Sequence, residues 1–424
     1  MTNFQNQFSA LLDYWPHEDQ SLRNLRRQAF DQFNELGFPT KRWEEWQFTD
    51  FSSMKKSGYR LSWADDLPKL PKNIPGRIPD SHLIFMINGH YQSQLLDIPK
   101  EITITTGLDH FNSNPEHYSM NKNENPFLAL NTAMMNSGIP INIDPNVIIE
   151  KPIQIIYLMT DMSEQLMNHP RFIFNIGKNS QATIIEHYIG LSDQSYFVNP
   201  VSQVVIGKNG YLNHIRIQEE TKSADHVATT QYILNSDSRL KTTHFSSGSK
   251  LFRHDIKLHF KGNGGEATIN GLSLTENQQH HDQHVVVDHQ NDACQSHQLF
   301  KYILADKSSG VFNGKVIVRE NTKQTDADQS NKNLLLSPSA LMNANPQLEI
   351  YTEDVKCAHG STTGQIDKEA LFYMRSRGLS KQKAIELIIG GFAKEILNPI
   401  KNEDIKTYIS EKITDWLEGT VING

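Results

Sequence analysis

Cysteine is nearly absent from this sequence: among 424 residues only Cys294 and Cys357 occur. Two thiols exclude a disulfide framework and fit a reducing compartment, so a cytoplasmic location is expected. They also exclude a self-sufficient iron–sulfur protein, because a cluster takes about four ligands, mostly thiolates. Positive charge is not in excess either. The formal net charge is −7, which leaves no basic footprint for nucleic acid. No apolar run approaches the roughly 18 residues of a membrane span, so no membrane association is expected. The opening MTNFQNQFSALLDYW lacks a basic stretch followed by an apolar one, and no signal peptide is expected. GxSxG, Walker A, HExxH and CxxC motifs are all missing. Without a P-loop, any ATP used by this protein must be hydrolysed by another chain.

What is present divides into textures. Residues 1–60 have a helical period, with Leu22, Leu25, Ala29, Phe30, Phe33 and Leu36 on one stripe. Ser21 is the expected start cap, and Gly37 followed by Pro39 the stop. Trp43, Trp46 and Phe48 then form an aromatic cluster that suits docking of this segment. Residues 61–140 hold a Pro/Lys-rich linker (LPKLPKNIPGRIP), short strands at LIFMING and ITITTGL, and a short helix at NPFLALNTAMM. From 141 to 360 strand-like runs dominate, among them PIQIIYLM, ATIIEHYI, TTQYIL and HQLFKYIL. Polar turns recur at Gly177-Lys178-Asn179, Gly207-Lys208-Asn209, Asn235-Ser236-Asp237 and Gly262-Asn263-Gly264. That spacing of about 27–30 residues lies in the range of repeat architectures. No long amphipathic helix separates the strands, which disfavours a doubly wound sheet. The expected fold class is mainly β, a coil of strands stacked rung on rung around one aliphatic core, with a β-sandwich as the structural rival. Residues 361–424 return to helices, capped at Asp367 and Ser380 and broken at Pro399, with a last stripe of Ile405, Tyr408, Ile409, Ile413, Trp416 and Leu417.

Three groups of residues could carry chemistry. Gln347–Gly378 starts as a strand, passes through Cys357-Ala358-His359, and is expected to cross a Gly/Ser/Thr turn into the helix at Asp367. At period two, Cys357 and His359 share one strand face, and a neighbouring imidazolium could lower the thiol pKa. A buried structural Cys beside an ordinary His is the alternative. The histidine run His280-His281-Asp282-Gln283-His284, with His289 and His297 beyond, invites a metal reading. Yet His281 and Asp282 fall on opposite strand faces, which favours satisfied imidazoles. Asp326, Asp328, Lys315 and Arg319 would have to converge for a stand-alone β-helix enzyme acting on carbohydrate or acyl groups, the alternative function.

Several blocks together resemble one family. They are GFPTKRWEEWQFTD (Gly37 to Asp50), LALNTA (Leu128 to Ala133), SHQLFKYIL, GVFNGKVIV, QTDADQSNKNLLLS, PQLEIYTEDVKCAHGSTTGQID and ALFYMRSRGL. They resemble the SufB/SufD family of the SUF iron–sulfur cluster assembly machinery over nearly the whole chain, Lys55 to Asn125 being the least diagnostic part. The SufB branch carries Glu at the position of Gly360 and a Cys soon after the equivalent of Phe372-Tyr373-Met374. It also carries a sulfur-accepting cysteine in the rung matching Asn333–Ser337, where leucines stand here, so the resemblance is to the SufD branch. It implies a right-handed parallel β-helix flanked by N-terminal and C-terminal α-helical domains. It implies pairing with a SufB-like paralogue through the β-helix ends and binding of a SufC-like ABC ATPase through the C-terminal helices. A homodimer through the same ends is a further option. The family's functional histidine falls on His359 and the adjacent cysteine on Cys357, as interface ligands for transient iron or a nascent iron–sulfur cluster. A link to iron acquisition and a reduced flavin in the complex are implied as well. The expected function is thus a non-catalytic assembly scaffold, and two cysteines alone already require ligands from another chain.

Overall fold

The recurrent polar turns set the architecture. The computed structural model describes residues 2–64, 67–68, 71, 73–93, 98–104, 111, 125–160, 164–191 and 194–420. In it the third residue of each turn has a left-handed backbone, with φ of 57° at Asn179, 54° at Asn209, 58° at Asp237 and 71° at Gly264. Asn, Asp and Gly tolerate that region because a short polar side chain bonds locally or no Cβ is present. The turns also stack. Asn179 Nδ2 donates to Asn146 Oδ1 at 2.7 Å, and Asn209 Nδ2 donates to Asn179 Oδ1 at 3.0 Å. The chain therefore changes sheets at the same corner, rung after rung.

Successive strands alternate between two sheets. One sheet contains Ser137–Ile143, Pro170–Ile176, Val201–Ile206, Asp225–Leu234, Leu251–Phe260, His280–His289, Ser309–Val318 and Leu341–Ile350 in that spatial order. The other contains His82–Ile87, Ile153–Met159, Gln181–Gly190, Tyr211–Glu219, Arg239–Ser246, Glu266–Thr275, Gln295–Leu304, Thr325–Leu335 and Val355–Gln365. Neighbours along both lists are parallel and in register: Leu251 pairs with His280 and His280 with Ser309. The result is a mainly β protein with a parallel solenoid of about seven turns. A β-sandwich is excluded, because its sheets are built from antiparallel ladders. Antiparallel pairing among the described residues is confined to short strands at the first rungs, His90–Tyr91 and Ile102–Ile104. The expected strand at ITITTGL is present over Ile102–Ile104, and its Thr105–Leu108 portion lies outside the described residues. So do Lys69, Leu70 and Lys72 of the Pro/Lys-rich linker. Inward side chains from Ile84 through Ile155, Phe174, Leu212, Ile256 and Val285 to Phe312 form one continuous core.

The helices cover the outer faces of the sheets. Helix Gln20–Leu36 is capped by Asp19, whose side chain accepts from the Ser21 amide, rather than by Ser21 itself. The carboxylate two residues earlier precedes the first helical residue and so meets the first free N–H groups. Gly37, at φ 68°, ends the helix as expected. Within its stripe lies a fully buried Arg26, which pairs with Glu18 at 2.9 Å and donates to the carbonyls of Ala133 and Met135. That ties the helix to the wholly buried helix Pro126–Met134, and the shared cluster continues onto Met167, Phe197, Val227 and Leu251 of the solenoid. Helices Lys381–Leu397 and Glu403–Gly419 bury Ile385, Ile389, Ile396, Ile405, Ile409 and Ile413 against outward residues of the second sheet, such as Ile215, Phe245, Leu272 and Ile303. Ile396 and Phe392 thus face this chain's own core.

The lumen is not wholly apolar. Glu186 accepts from Tyr188 and Ser202 and lies 3.0 Å from His214 and 3.4 Å from Arg216, all buried. Burial alone would push its carboxyl up, but the His214 hydrogen bond and the Arg216 charge outweigh it and hold the pKa at about 2. Burial holds other interior imidazoles neutral: His169 and His281 are pushed down to about 3 and His289 to about 4. An unfolded imidazole binds a proton near 6.5, so between there and the folded values the unfolded chain holds more protons. Stability is therefore lost as pH falls through that window, and Glu186 adds a further loss as pH drops from its ordinary carboxylate range towards 2. Thermal melts should show Tm falling steadily from about pH 6.5 to about pH 4; a flat profile would mean these imidazoles are already charged in the folded chain.

Candidate functional site: the open end of the solenoid

The last rung is unfinished. Strand Val355–Gln365 pairs on one side with Thr325–Leu335 and stands at the end of its sheet, with nearly every residue exposed. Leu341–Ile350 ends the other sheet in the same way. Gly360–Gln365, expected as a turn, is the second half of this strand; in-register pairing with Ser330–Leu335 supplies the hydrogen bonds that hold Gly360 and Gly364 extended against their low strand propensity. Asp367 caps the following helix, Lys368–Ser376, by accepting from the Glu369 amide. Leu341, Ile350 and Tyr351 leave an apolar rim around this end, Leu341 being 64% exposed.

Cys357 and His359 lie on this strand, opposite Ala327 and Gln329. Cys357 packs at the edge of a cluster of Val316, Val318 and Ala327, which places it on the lumen-facing side. His359, two residues on, shares that face about 7 Å away. It is exposed because no rung lies beyond it. Activation of the thiol by a nearby imidazolium is not borne out. Burial, followed by the Asp326 charge, pushes the Cys357 pKa up, so at neutral pH it is a thiol. Cys294 is buried and donates weakly to the Gly262 and Asp292 carbonyls, a packing role. Neighbouring lumen positions are polar: Asn331 Oδ1 accepts from Ser361, and Asn333 donates to Thr363 Oγ1.

The histidine run is structural. His281 faces the lumen and bonds the Gly248 carbonyl at 2.8 Å, while His280 bonds Ser309 and Thr49 on the outside. His284 lies 3.0 Å from Asp282, which also pairs with Arg253 at 2.6 Å. Arg253 stacks over Trp46 at 3.5 Å and donates to the Glu45 carbonyl, so this constellation holds the aromatic segment down on the sheet. Trp46 is buried, whereas Phe48 remains exposed. Sequence reasoning missed Arg253, because nothing in its neighbourhood along the chain signals a partner two hundred residues away. Lys315 and Arg319 line a cleft of about 310 Å³ on the outer face of the first sheet, beside Glu44–Trp46. Asp326 and Asp328 belong to the other sheet, so the four do not converge. In the cleft Arg319 pairs with Asp288 at 2.8 Å and Lys315 with Glu349 at 3.0 Å. Among the described residues no group of three or more His, Cys, Asp or Glu is placed to hold a metal ion, and no helix is long and apolar enough to cross a membrane.

Fold and end together define a parallel β-solenoid protein with a polar, incompletely walled terminal rung. Comparison with known proteins places it further. Residues 158–392 match the family model "SUF system FeS cluster assembly, SufBD core domain", and residues 3–155 match "SufBD protein N-terminal region". The chain belongs to the SufBD family of the SUF iron–sulfur cluster assembly system. It is 33% identical to a SufBD family protein of Synechocystis over 405 residues, covering 90% of this chain and 88% of that one. It is 28% identical to iron–sulfur cluster assembly protein SufD of Escherichia coli, covering 97% and 98%, and 24% identical to SufD of Bacillus subtilis, covering 91% of each.

The raised pKa of Cys357 has a direct readout. Timed alkylation with iodoacetamide near neutral pH, followed by intact mass, should show Cys357 reacting more slowly than free cysteine and Cys294 not reacting until the chain unfolds. Faster-than-free alkylation of Cys357 would show a thiolate instead.

Proposed function

We propose that this chain is a non-catalytic scaffold subunit of the SUF complex. In this reading it pairs with a SufB-like paralogue through the open solenoid end, and the nascent cluster forms at that junction. The unfinished terminal rung is the observation that carries the reading. A long, flat strand edge is an aggregation hazard unless something pairs with it, and strand addition is a standard means of recognition. This edge is rimmed by apolar residues and lined by imidazole, thiol, hydroxyl and amide groups. Iron and sulfide are the cargo. Imidazole is a borderline ligand and thiolate a soft one, so His359 and Cys357 offer half a site for either. His359 is the stronger ligand, since Cys357 must first lose a proton, which a bound cation would promote. Incomplete ligation suits a scaffold, because the cluster has to leave. A homodimer through the same edge is the second arrangement it supports.

A SufC-like ABC ATPase supplies the hydrolysis that this chain has no P-loop for. With Phe392 and Ile396 committed to the chain's own core, the docking face is the outer side of the C-terminal helices, where Phe372 is 74%, Tyr373 59% and Leu387 49% exposed. The remaining parts of the reading follow the family resemblance: a right-handed coil, helical domains at both ends, the divisions 1–60, 61–140, 141–360 and 361–424, a cytoplasmic location, and a reduced flavin acting on the assembled complex.

Two experiments bear on this. His359→Ala should leave the chain folded and the pairing intact, while cluster formed by the co-expressed complex, read by anaerobic absorption, falls to background. Wild-type cluster yield would remove His359 from the site. Phe372→Glu alters an exposed side chain, so the fold should persist while the ATPase no longer co-purifies; an unchanged stoichiometry would move the docking face elsewhere.

A further inference from the structure

His359 ends a column of lumen-facing residues. In register, His214, Thr242, Ile269, Gln298, Gln329 and His359 lie one above the other. Two successive glutamines, each 1% exposed, occupy positions that an aliphatic core would fill with apolar side chains. Gln329 Nε2 donates to Gln298 Oε1 at 3.2 Å, whereas Gln329 Oε1 is buried without a hydrogen-bond partner. A buried amide oxygen left unpaired loses its hydration without replacement, so its retention calls for a donor. The next position in register, about 4.8 Å along the stack, belongs to His359.

Gly314, on the facing sheet, makes room for this arrangement. A Cβ there would lie 2.2 Å from Gln329 Nε2 and 2.6 Å from its Cδ. Gly314 has no positive φ, so space and not backbone conformation demands the glycine.

We propose that Gln329, braced by Gln298 and by the space at Gly314, is the positioning residue that sets the tautomer and ring direction of His359. A neutral imidazole has one N–H. Donated to Gln329 Oε1, it leaves the lone pair of the other ring nitrogen directed at the open end, the form in which histidine meets a metal cation or a partner's donor. This rests on the reading above only for what His359 is used for.

The test uses the full-length chain with ring-15N histidine, the His359 signals being assigned by their loss in His359→Ala. At a pH where the ring is neutral, wild type should show one tautomer at His359. Gln329→Leu and, independently, Gly314→Ala should turn that into a mixture, while Gln329→Glu, which keeps the acceptor, should preserve the single form. In the co-expressed complex, Gln329→Leu should lower cluster yield by about tenfold or more, with Gln329→Glu restoring it. Melting curves confirm folding, and a Gln298→Leu/Gln329→Leu pair, which leaves no orphaned amide, serves if the single change unfolds the chain. An unchanged tautomer in Gln329→Leu or in that pair overturns the proposal. If the tautomer shifts as expected yet His359→Ala makes clusters normally, the positioning stands and the ligand reading fails.

Discussion

In-register parallel stacking is the constraint on which the rest of this molecule depends. Each strand of the solenoid satisfies its N–H and C=O groups with the rung before and the rung after, so no rung is complete alone. Register carries identical inner and outer positions up the whole stack, which is why a single apolar core can run from Ile84 to Phe312. It also fixes the corners, where left-handed Asn179, Asn209 and Asp237 recur and Asn146, Asn179 and Asn209 bond one another. The same rule leaves the last rung with one ladder unpaired. Function is proposed at the end where the stack stops adding rungs.

The flanking helices decide which surfaces remain. Those at the N-terminus share a core with the solenoid flank through Phe127, Phe197 and Val227, with Arg26 and Arg253 as buried fasteners. Helices Lys381–Leu397 and Glu403–Gly419 close the outer face of the second sheet. With these faces covered, apolar side chains still stand exposed at the rim of Leu341, Ile350 and Tyr351 and on the helix face at Phe372 and Tyr373. Towards the open end the lumen also becomes polar, from the Phe300–Phe312 ring pair to Gln329, Asn331 and Asn333. A site for inorganic cargo needs that change, since an aliphatic wall offers no ligand or guide.

Much of the fold was legible because it is periodic. Polar turns at near-constant spacing, β-branched runs between them and the absence of crossover helices report one repeating local choice, and local chemistry is what a sequence displays. Failures occur where a distant partner outvotes local preference. Gly360–Gln365 looks like a turn until Ser330–Leu335 is laid beside it. The cap is a local miss of another kind, since Asp19, two residues before Ser21, accepts from the Ser21 amide. Cys357 and His359 were placed on one face by period two, yet the direction of the thiol's pKa depended on burial against Val316, Val318 and Ala327 and on Asp326, none of which adjoins it in sequence.

By itself, then, the sequence determined the repeat, the helical ends, the scarcity of thiols, and the identity of the Cys-x-His pair. These follow from composition, spacing and residue chemistry, which hold whatever the chain does in space. Tertiary structure alone decided which edge is left unpaired, which helix face the core consumes, that Asp326 and Asp328 never meet Lys315 and Arg319, that Gln329 pairs with His359, and that Gly314 faces Gln329. Those depend on register between rungs some thirty residues apart, and register is set by the collective fit of the stack, not by any one strand.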